Sequence, residues 1–402
     1  MKRDRFKFGD LFKVKHGYAF KSRFFDSSGP YVLLTPGNFN EQGGFRDVGE
    51  KQKYYTGDVP NGFVLDEGDL LIAMTEQAEG LLGSSAWIPA SGKYLHNQRL
   101  RRVIDLDQSR LDKSYLYYLL NTRDVRHQIS SSASGTKVRH TAPERIGRVE
   151  VALPPIESQR RAAAFLSAYD DLIGNNRRRM VLLEQAVRQL YHEWFVRLRF
   201  PGHEHARITK GLPDGWQSKV LGDLCEEVRD SIKPDQIEPQ TPYIGLEHIP
   251  RRSISLQDWG TAAEVTSSKH RFRENEILFG KLRPYFHKVG VAFVDGVASS
   301  DAIVLRPYSQ EFHGLVLMTV ASDRFVAFTA QTMREGSKMP RADWKQMQAY
   351  PVPLPSKSIL SSFEDLMDAT HEQLKTLTFT TRKLNTARDL LLPRLMSGEI
   401  AI

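Results

Sequence analysis

The side chains in this sequence that could do chemistry are few, and their spacing does not suit it. A metal-dependent nuclease sets acidic residues beside a lysine, commonly as Glu-x-Lys or Asp-x-Lys, to hold a divalent ion and orient water. Glu-x-Lys does not occur, and Asp343-Trp-Lys345 is the single Asp-x-Lys. No Gly-x-x-x-x-Gly-Lys-[Ser/Thr] phosphate loop, Gly-x-Gly-x-x-Gly turn or His-Glu-x-x-His pair is present. The two-proline strings Leu153-Pro-Pro-Ile156 and Val352-Pro-Leu-Pro355 lack the preceding Asn or Asp that an amino-methyltransferase uses to hold its target amine, so they read as helix stops. His203 and His205 in Pro201–Ala206 offer two imidazoles but read as a solvated linker. The lone Cys225 excludes an internal disulfide and a Cys-pair zinc site, and reads as a buried thiol. The expectation is a chain with no catalytic residues, no metal ligands and no cofactor of its own.

What must be positioned, then, is a binding surface. A chain of 402 residues exceeds one ordinary core and implies two or more domains. With 26% charged and 40% hydrophobic residues it has a globular rather than a disordered profile. No run of about 18 apolar residues occurs, and Met1-Lys-Arg-Asp-Arg-Phe6 has no apolar signal core behind it, so a cytoplasmic location is expected. The net charge of +8 favours a polyanionic partner, because each neutralised phosphate releases counterions and adds sequence-independent affinity.

The chain repeats itself with a period of about 200 residues. Gly9-Asp10-Leu11-Phe12 answers Gly222-Asp223-Leu224-Cys225, and Tyr31–Phe39 answers Tyr243–Ile249, both read as an early strand region. Glu67–Leu71 matches Glu274–Leu278, Gly135-Thr-Lys137 matches Gly336-Ser-Lys338, and Val151–Pro155 matches Val352–Pro355. The offset drifts from 213 (222 less 9) to 201 (352 less 151), as loop-length differences within one shared fold would produce. The equivalent loop of the first copy has neither the Asp nor the Lys, which argues against a catalytic role for Asp343 and Lys345.

Short apolar runs such as Leu70–Ala73 and Val291–Val294, broken by Gly, Pro, Asn and Asp, predict strands. Helical stretches are expected over Ser114–Ile129 and Glu311–Thr329, which makes each copy α+β. Beyond Pro155 the pattern becomes a long helix to about Arg199, and another follows Pro355. Tyr169, Ile173, Asn176, Met180, Leu183, Val187, Leu190 and Trp194 alternate by four and three, the seam of a coiled coil. Phe363, Met367, Thr370, Leu374, Leu377, Thr381, Leu384, Arg388 and Leu391 repeat that spacing. Polar residues at Asn176, Thr370, Thr381 and Arg388 weaken such a seam but fix its register.

Each helix's natural partner is the other. Antiparallel pairing is expected, because the intervening globular part must send the chain back toward its start; packing of each helix on its own domain is the alternative. A helix of roughly 40 residues spans about 60 Å and would hold two globular parts at fixed separation. The expected organisation is 1–153 and 201–354 as globular domains, the second with a leading linker, and 154–200 and 355–402 as helical spacers. The whole forms a pseudo-twofold internal repeat.

Several of these segments resemble a known family. Leu153–Arg161, Leu166–Ile173, Asn175–Arg178 and Tyr191–Val196 look like the central conserved region of the specificity subunits of type I restriction-modification enzymes. Leu391–Ile400 resembles their C-terminal conserved region, and Gly17-Tyr-Ala-Phe-Lys21 a motif near the start of their target recognition domains. The second helix departs from the pattern where Leu360-Ser-Ser-Phe-Glu364 replaces the usual Glu-Gln segment. The resemblance implies two target recognition domains that read double-stranded DNA and helices that dock two methyltransferase subunits. Two motor-nuclease subunits join them, and S-adenosylmethionine, ATP and magnesium act on those partners.

Base reading uses Arg or Lys for guanine and Asn or Gln for adenine, with phosphate anchors from Lys, Arg, Ser and Thr. The candidates are Lys21, Arg23, Asn97, Gln98, Arg99, Thr136, Lys137 and Arg139 in the first copy. In the second they are Lys281, Arg283, Tyr285, Ser337, Lys338 and Arg341. The recurring Gly-[Thr/Ser]-Lys loops suit phosphate positioning, while the Asn97 and Lys281 regions differ between copies and suit base choice. The expected target is asymmetric and interrupted, with half-sites about one helical turn apart. Two other readings remain: a self-sufficient nuclease or nuclease-methyltransferase, and a coiled-coil adaptor for RNA or protein.

Overall fold

Strands form where β-branched and aromatic residues lie between turn residues, and Leu70–Ala73, buried along its whole length, is the centre of one such sheet. The structure, a computed structural model, describes residues 3–76, 80–131, 133, 139–331 and 340–400. Among them lie α1 (Lys113–Leu120), α2 (Arg123–Ser131), α3 (Pro143–Gly147), α4 (Ile156–Tyr191), α5 (His313–Val320), α6 (Asp323–Gln331), α7 (Trp344–Met347) and α8 (Lys357–Ser397). Contacts divide the chain into two units, Met1–Leu172 with Leu384–Ile402, and Ile173–Lys383. The division falls inside α4 and α8, so each long helix supplies residues to both.

In unit 1 an antiparallel sheet runs in the order Lys13–His16, Leu100–Ile104, Leu70–Ala73, Ser85–Trp87. A second sheet has the order Phe25–Asp26, Tyr54–Tyr55, Tyr31–Leu33, Tyr94–Leu95, its last pair parallel. Glu150–Leu153 closes the unit by pairing with Asp4–Lys7. The core joins Phe8, Leu70, Ile72, Tyr115, Leu116 and Ile129 to Ala162, Ala163 and Leu166 of α4 and to Leu395 and Met396 of α8.

Unit 2 repeats this plan. Its first sheet has the order Cys225–Val228, Ala302–Pro307, Ile277–Gly280, Val289–Val291. Its second contains Pro242–Ile244 parallel to Gly296–Ala298, and Gln217–Val220 pairs with Pro351–Leu354. The core gathers Phe279, Leu305, Leu315 and Phe325 with Met180, Val187, Trp194 and Phe195 of the first helical segment and Phe363, Met367, Leu374 and Leu377 of α8. The duplication in sequence is therefore a duplication of α+β topology.

Three local readings change. Each predicted helical stretch is two helices, because a hydroxyl caps the second: Val125 N–H meets Thr122 Oγ1 at 3.5 Å, and Phe325 N–H meets Ser322 Oγ at 3.2 Å. The proline strings are not only helix stops, since Glu150–Leu153 and Pro351–Leu354 are closing strands before the turn into a helix. In the run Val291–Val294, strand geometry covers only Val289–Val291.

The sixteen seam positions named above other than Arg388 are all buried or half-buried, Asn176 and Thr381 included. Within unit 2 the helical contacts run antiparallel. Thr378 Oγ1 meets Met180 Sδ at 3.6 Å, and the rings of Phe195 and Phe363 lie 4.7 Å apart. Fifteen residues up the first helix (180 to 195) thus match fifteen down the second (378 to 363). Regular α-helix ends at Tyr191 and passes into a π turn over His192–Val196, which aims Trp194 and Phe195 together at Phe363. Within unit 1, Arg388 of α8 reaches Asp170 of α4 at 2.7 Å, and Asp170 also accepts from the Tyr118 hydroxyl at 2.7 Å. Burial and the Asp170 charge push the Tyr118 hydroxyl pKa far upward, so it remains a donor.

Candidate nucleic-acid interface

The same backbone junction is built in each unit from three segments distant in sequence. In unit 1 the strand Leu70–Ala73 continues through Met74, whose N–H donates to Arg99 O at 3.0 Å and whose carbonyl accepts from Thr141 N–H at 3.1 Å. Thr75 and Glu76 then pair with His140 and Arg139. In unit 2 the strand Ile277–Gly280 continues through Lys281, whose N–H donates to Asp301 O at 2.9 Å and whose carbonyl accepts from Ala342 N–H at 2.8 Å. Leu282 then bridges to Arg341, and Arg283 N–H donates to Pro340 O at 2.9 Å. Met74 and Lys281 are structural equivalents, as are Arg99 and Asp301. The residues 139–141 and 340–342 return from the Gly-Thr-Lys and Gly-Ser-Lys segments. Thr136, Lys137, Ser337 and Lys338 themselves lie outside the described residues.

On this shared frame the side chains diverge. Glu76 is buried, accepting from Gly80, Leu81 and Leu82 N–H at 3.1, 3.0 and 2.9 Å and from Arg139 Nη1 at 3.0 Å. Arg139 also donates to Ser130 O at 2.7 Å, so its guanidinium serves the fold. At the place corresponding to Glu76, unit 2 has Arg283, exposed and in the left-handed region with φ +51°. Tyr285 beside it is 52% exposed. Arg341 pairs with Asp301 at 3.1 Å, and Lys281 is half-buried.

A fourth segment joins the first unit's junction. Tyr18, in the Gly17–Lys21 motif, bridges Asn97 in parallel: Tyr18 N–H donates to His96 O at 2.8 Å and Gln98 N–H to Tyr18 O at 3.0 Å. A Cβ on Gly17 would collide with the Asn97 carbonyl, which is why glycine stands there. Asn97 is corrected from a surface candidate to a buried one. Its side-chain oxygen accepts from Arg99 N–H at 3.0 Å and shapes the turn. Gln98 is half-buried, whereas Lys21, Arg23 and Arg99 are exposed. Arg23 lies over the Phe24 ring at 4.7 Å.

Sequence reasoning missed the residues that hold these turns. Buried Arg101 donates to Gln98 O at 2.8 Å and Leu100 O at 3.1 Å. Buried His96 meets Leu100 O at 3.1 Å, and burial drops its pKa to about 4, so it is neutral at pH 7. In unit 2, Arg251 covers the Phe286 ring at 4.0 Å. Only the dipeptide Arg251-Arg252 marked that segment as basic.

The residues weighed for catalysis have structural settings. Asp343 caps α7, accepting from Lys345 N–H at 3.1 Å. His203 and His205 flank a short exposed turn, and His203 Nδ1 meets Phe200 O at 2.9 Å. Burial pushes the Cys225 thiol up to about 12. Among the described residues no cluster of His, Cys, Asp and Glu is arranged to hold a metal ion, and no helix is long and apolar enough to cross a membrane.

Fold and site together define a duplicated α+β protein that presents one backbone frame twice, with different side chains on each. Residues 3–185 match the type I restriction modification DNA specificity domain. The type I restriction enzyme MjaIX specificity subunit of Methanocaldococcus jannaschii is 24% identical over 319 residues, covering 76% of this chain and 73% of that protein. The EcoDI specificity subunit of Escherichia coli is 21% identical over 329 residues, covering 75% and 73%. The crystal structure of a type I restriction-modification system S subunit from M. genitalium shares the fold, with a TM-score of 0.61 at 16% identity over 98% of this chain and 96% of that one. The chain is similar to the specificity subunits of type I restriction-modification enzymes in its first unit by the family model and along about three quarters of its length by these relatives.

Proposed function

We propose that this chain reads DNA sequence for a type I restriction-modification complex, each unit contacting one half of an asymmetric, interrupted target. The observation that carries this reading is the junction built twice with the same main-chain hydrogen bonds and opposite side-chain character, Glu76 turned inward in one and Arg283 outward in the other. A conserved frame with divergent surface groups suits two related readers of different half-sites. The exposed cations Lys21, Arg23, Arg99, Arg283 and Arg341 supply candidate contacts, and Lys137 and Lys338 candidate phosphate anchors.

The chemistry then belongs to partners: methyltransferase subunits carrying S-adenosylmethionine, docked through the helices, and motor-nuclease subunits using ATP and magnesium. Methylome sequencing of cells given this subunit with its methyltransferase should reveal a bipartite, non-palindromic motif modified at adenine. A continuous palindrome would refute the reading. The purified chain incubated with duplex DNA, Mg²⁺ and S-adenosylmethionine should yield no product, and cleavage or methylation by the chain alone would replace a subunit with a self-sufficient enzyme. Duplex DNA should outcompete RNA for binding; the reverse would favour an RNA adaptor.

A further inference from the structure

The segment Leu282–His287 in unit 2 is held in a conformation its residues do not favour. Arg283 and His287 are non-glycine residues in the left-handed region, at φ +51° and +53°. Such backbone persists only where its surroundings over-determine it, and here both ends are pinned. Arg283 N–H is tied to Pro340 O at 2.9 Å, and the buried His287 ring meets Ala321 O at 2.8 Å while its carbonyl accepts from Arg252 N–H at 2.9 Å. Between these pins Phe286 is clamped under Arg251 at 4.0 Å and beside Arg283 at 5.8 Å. The clamping segment is anchored in turn by Glu184 of α4. Its carboxylate accepts from Ser253 Oγ at 2.8 Å and from Ile254 and Ser255 N–H at 3.2 Å each.

The consequence is one large aromatic ring facing solvent. Tyr285 is 52% exposed, edge-on to Phe286 with centroids 5.0 Å apart, on a turn that also bears Arg283. An exposed ring backed by Phe286, which itself lies under the Arg251 and Arg283 guanidinium groups, suits stacking on a base while the cations take the neighbouring phosphates. At the place matching Arg283, unit 1 carries Glu76, which turns inward.

We propose that Tyr285 is a stacking wedge that unstacks one base step in the second half of the DNA target, with Arg251 and Glu184 as positioning residues behind it. The inference rests on the DNA-reading function. The test places 2-aminopurine singly along the target duplex and measures fluorescence and affinity for the full chain assembled with its methyltransferase subunits. Wild type and Tyr285→Phe should brighten one position in one half-site other than the adenines that the methyltransferase itself extrudes. Tyr285→Ala should lose that signal and weaken target binding by roughly tenfold or more. Glu184→Leu should diminish the same signal and leave the other half-site's discrimination unchanged.

If the wild-type complex binds no duplex, the DNA-reading function itself fails. If it binds but no position brightens, or Tyr285→Ala keeps the signal, the wedge is refuted while the function stands. Loss of discrimination in both half-sites on Glu184→Leu would overturn its positioning role.

Discussion

The start of α5 offers a quantitative test of how the second unit is held together. α1 follows Asp112, whose carboxylate accepts from Tyr115 N–H at 2.9 Å, but α5 follows Phe312, which supplies no side-chain cap. The missing acceptor comes from α8: Glu364 accepts from Gly314 N–H at 2.7 Å and Leu315 N–H at 2.9 Å. Burial raises the Glu364 carboxyl from the ordinary 4.5 to about 7, against the pull of those two donors and with a further push from Asp368. A carboxyl with a raised folded pKa holds its proton more tightly folded than unfolded. Its stabilising contribution is complete below pH 4.5 and is lost as pH rises through about 7.

At about 1.4 kcal/mol per pH unit, this interval corresponds to a loss of about 3 kcal/mol. Glu364→Gln keeps the shape and one acceptor but cannot titrate. Urea unfolding at several pH values between 4.5 and 8 can be followed by tryptophan fluorescence, because four of the five tryptophans (Trp194, Trp216, Trp259 and Trp344) lie in unit 2. The stability of wild type relative to Glu364→Gln should fall by about 3 kcal/mol over that range, the titrations of other groups cancelling in the difference. Stability curves that stay parallel within about 0.5 kcal/mol would refute the account of a proton-holding buried cap.

Four further outcomes are expected. Burial holds His96 in unit 1 and His371 in unit 2 at about 4, so the stability each contributes is present above pH 6.5 and lost as pH falls toward 4; amide exchange, corrected for its intrinsic pH dependence, should accelerate in both units over that interval. Asp170→Ala deprives both Tyr118 and Arg388 of a 2.7 Å acceptor and should lower unit 1 stability by about 2–3 kcal/mol, with a double-mutant cycle against Arg388→Ala showing positive coupling. Gly17→Ala drives a methyl into the Asn97 carbonyl and should weaken DNA binding through the first unit while unit 2 unfolds as before, checked by affinity and hydrogen exchange. Lys137→Glu or Lys338→Glu should weaken binding to all sequences and reduce the slope of log affinity against log salt by about one or more; an unchanged slope would remove that lysine from the phosphate contacts.

The sequence by itself determined the duplication, the α+β content of each copy and the seams of the long helices, because these follow from short-range periodicity. Tyr169 to Trp194 and Phe363 to Leu391 could be assigned to a buried stripe without knowing what covered it. It also named Arg283, Tyr285 and Arg341 as candidates from residue type, and the fold sets them around one junction. The match of Leu71 with Leu278 already sets Met74 opposite Lys281, but only tertiary structure shows that both make the same backbone hydrogen bonds, to segments twenty or more residues away. It buried Asn97 and tied the half-buried Arg139 to Glu76 and Ser130, turning two polar candidates into turn supports, because whether a polar side chain faces solvent depends on which groups need partners nearby. It likewise let Glu364 replace a cap that Phe312 cannot provide. Glycine, proline and apolar spacing are local signals written into the chain, whereas the satisfaction of buried donors and acceptors is settled only when distant segments meet.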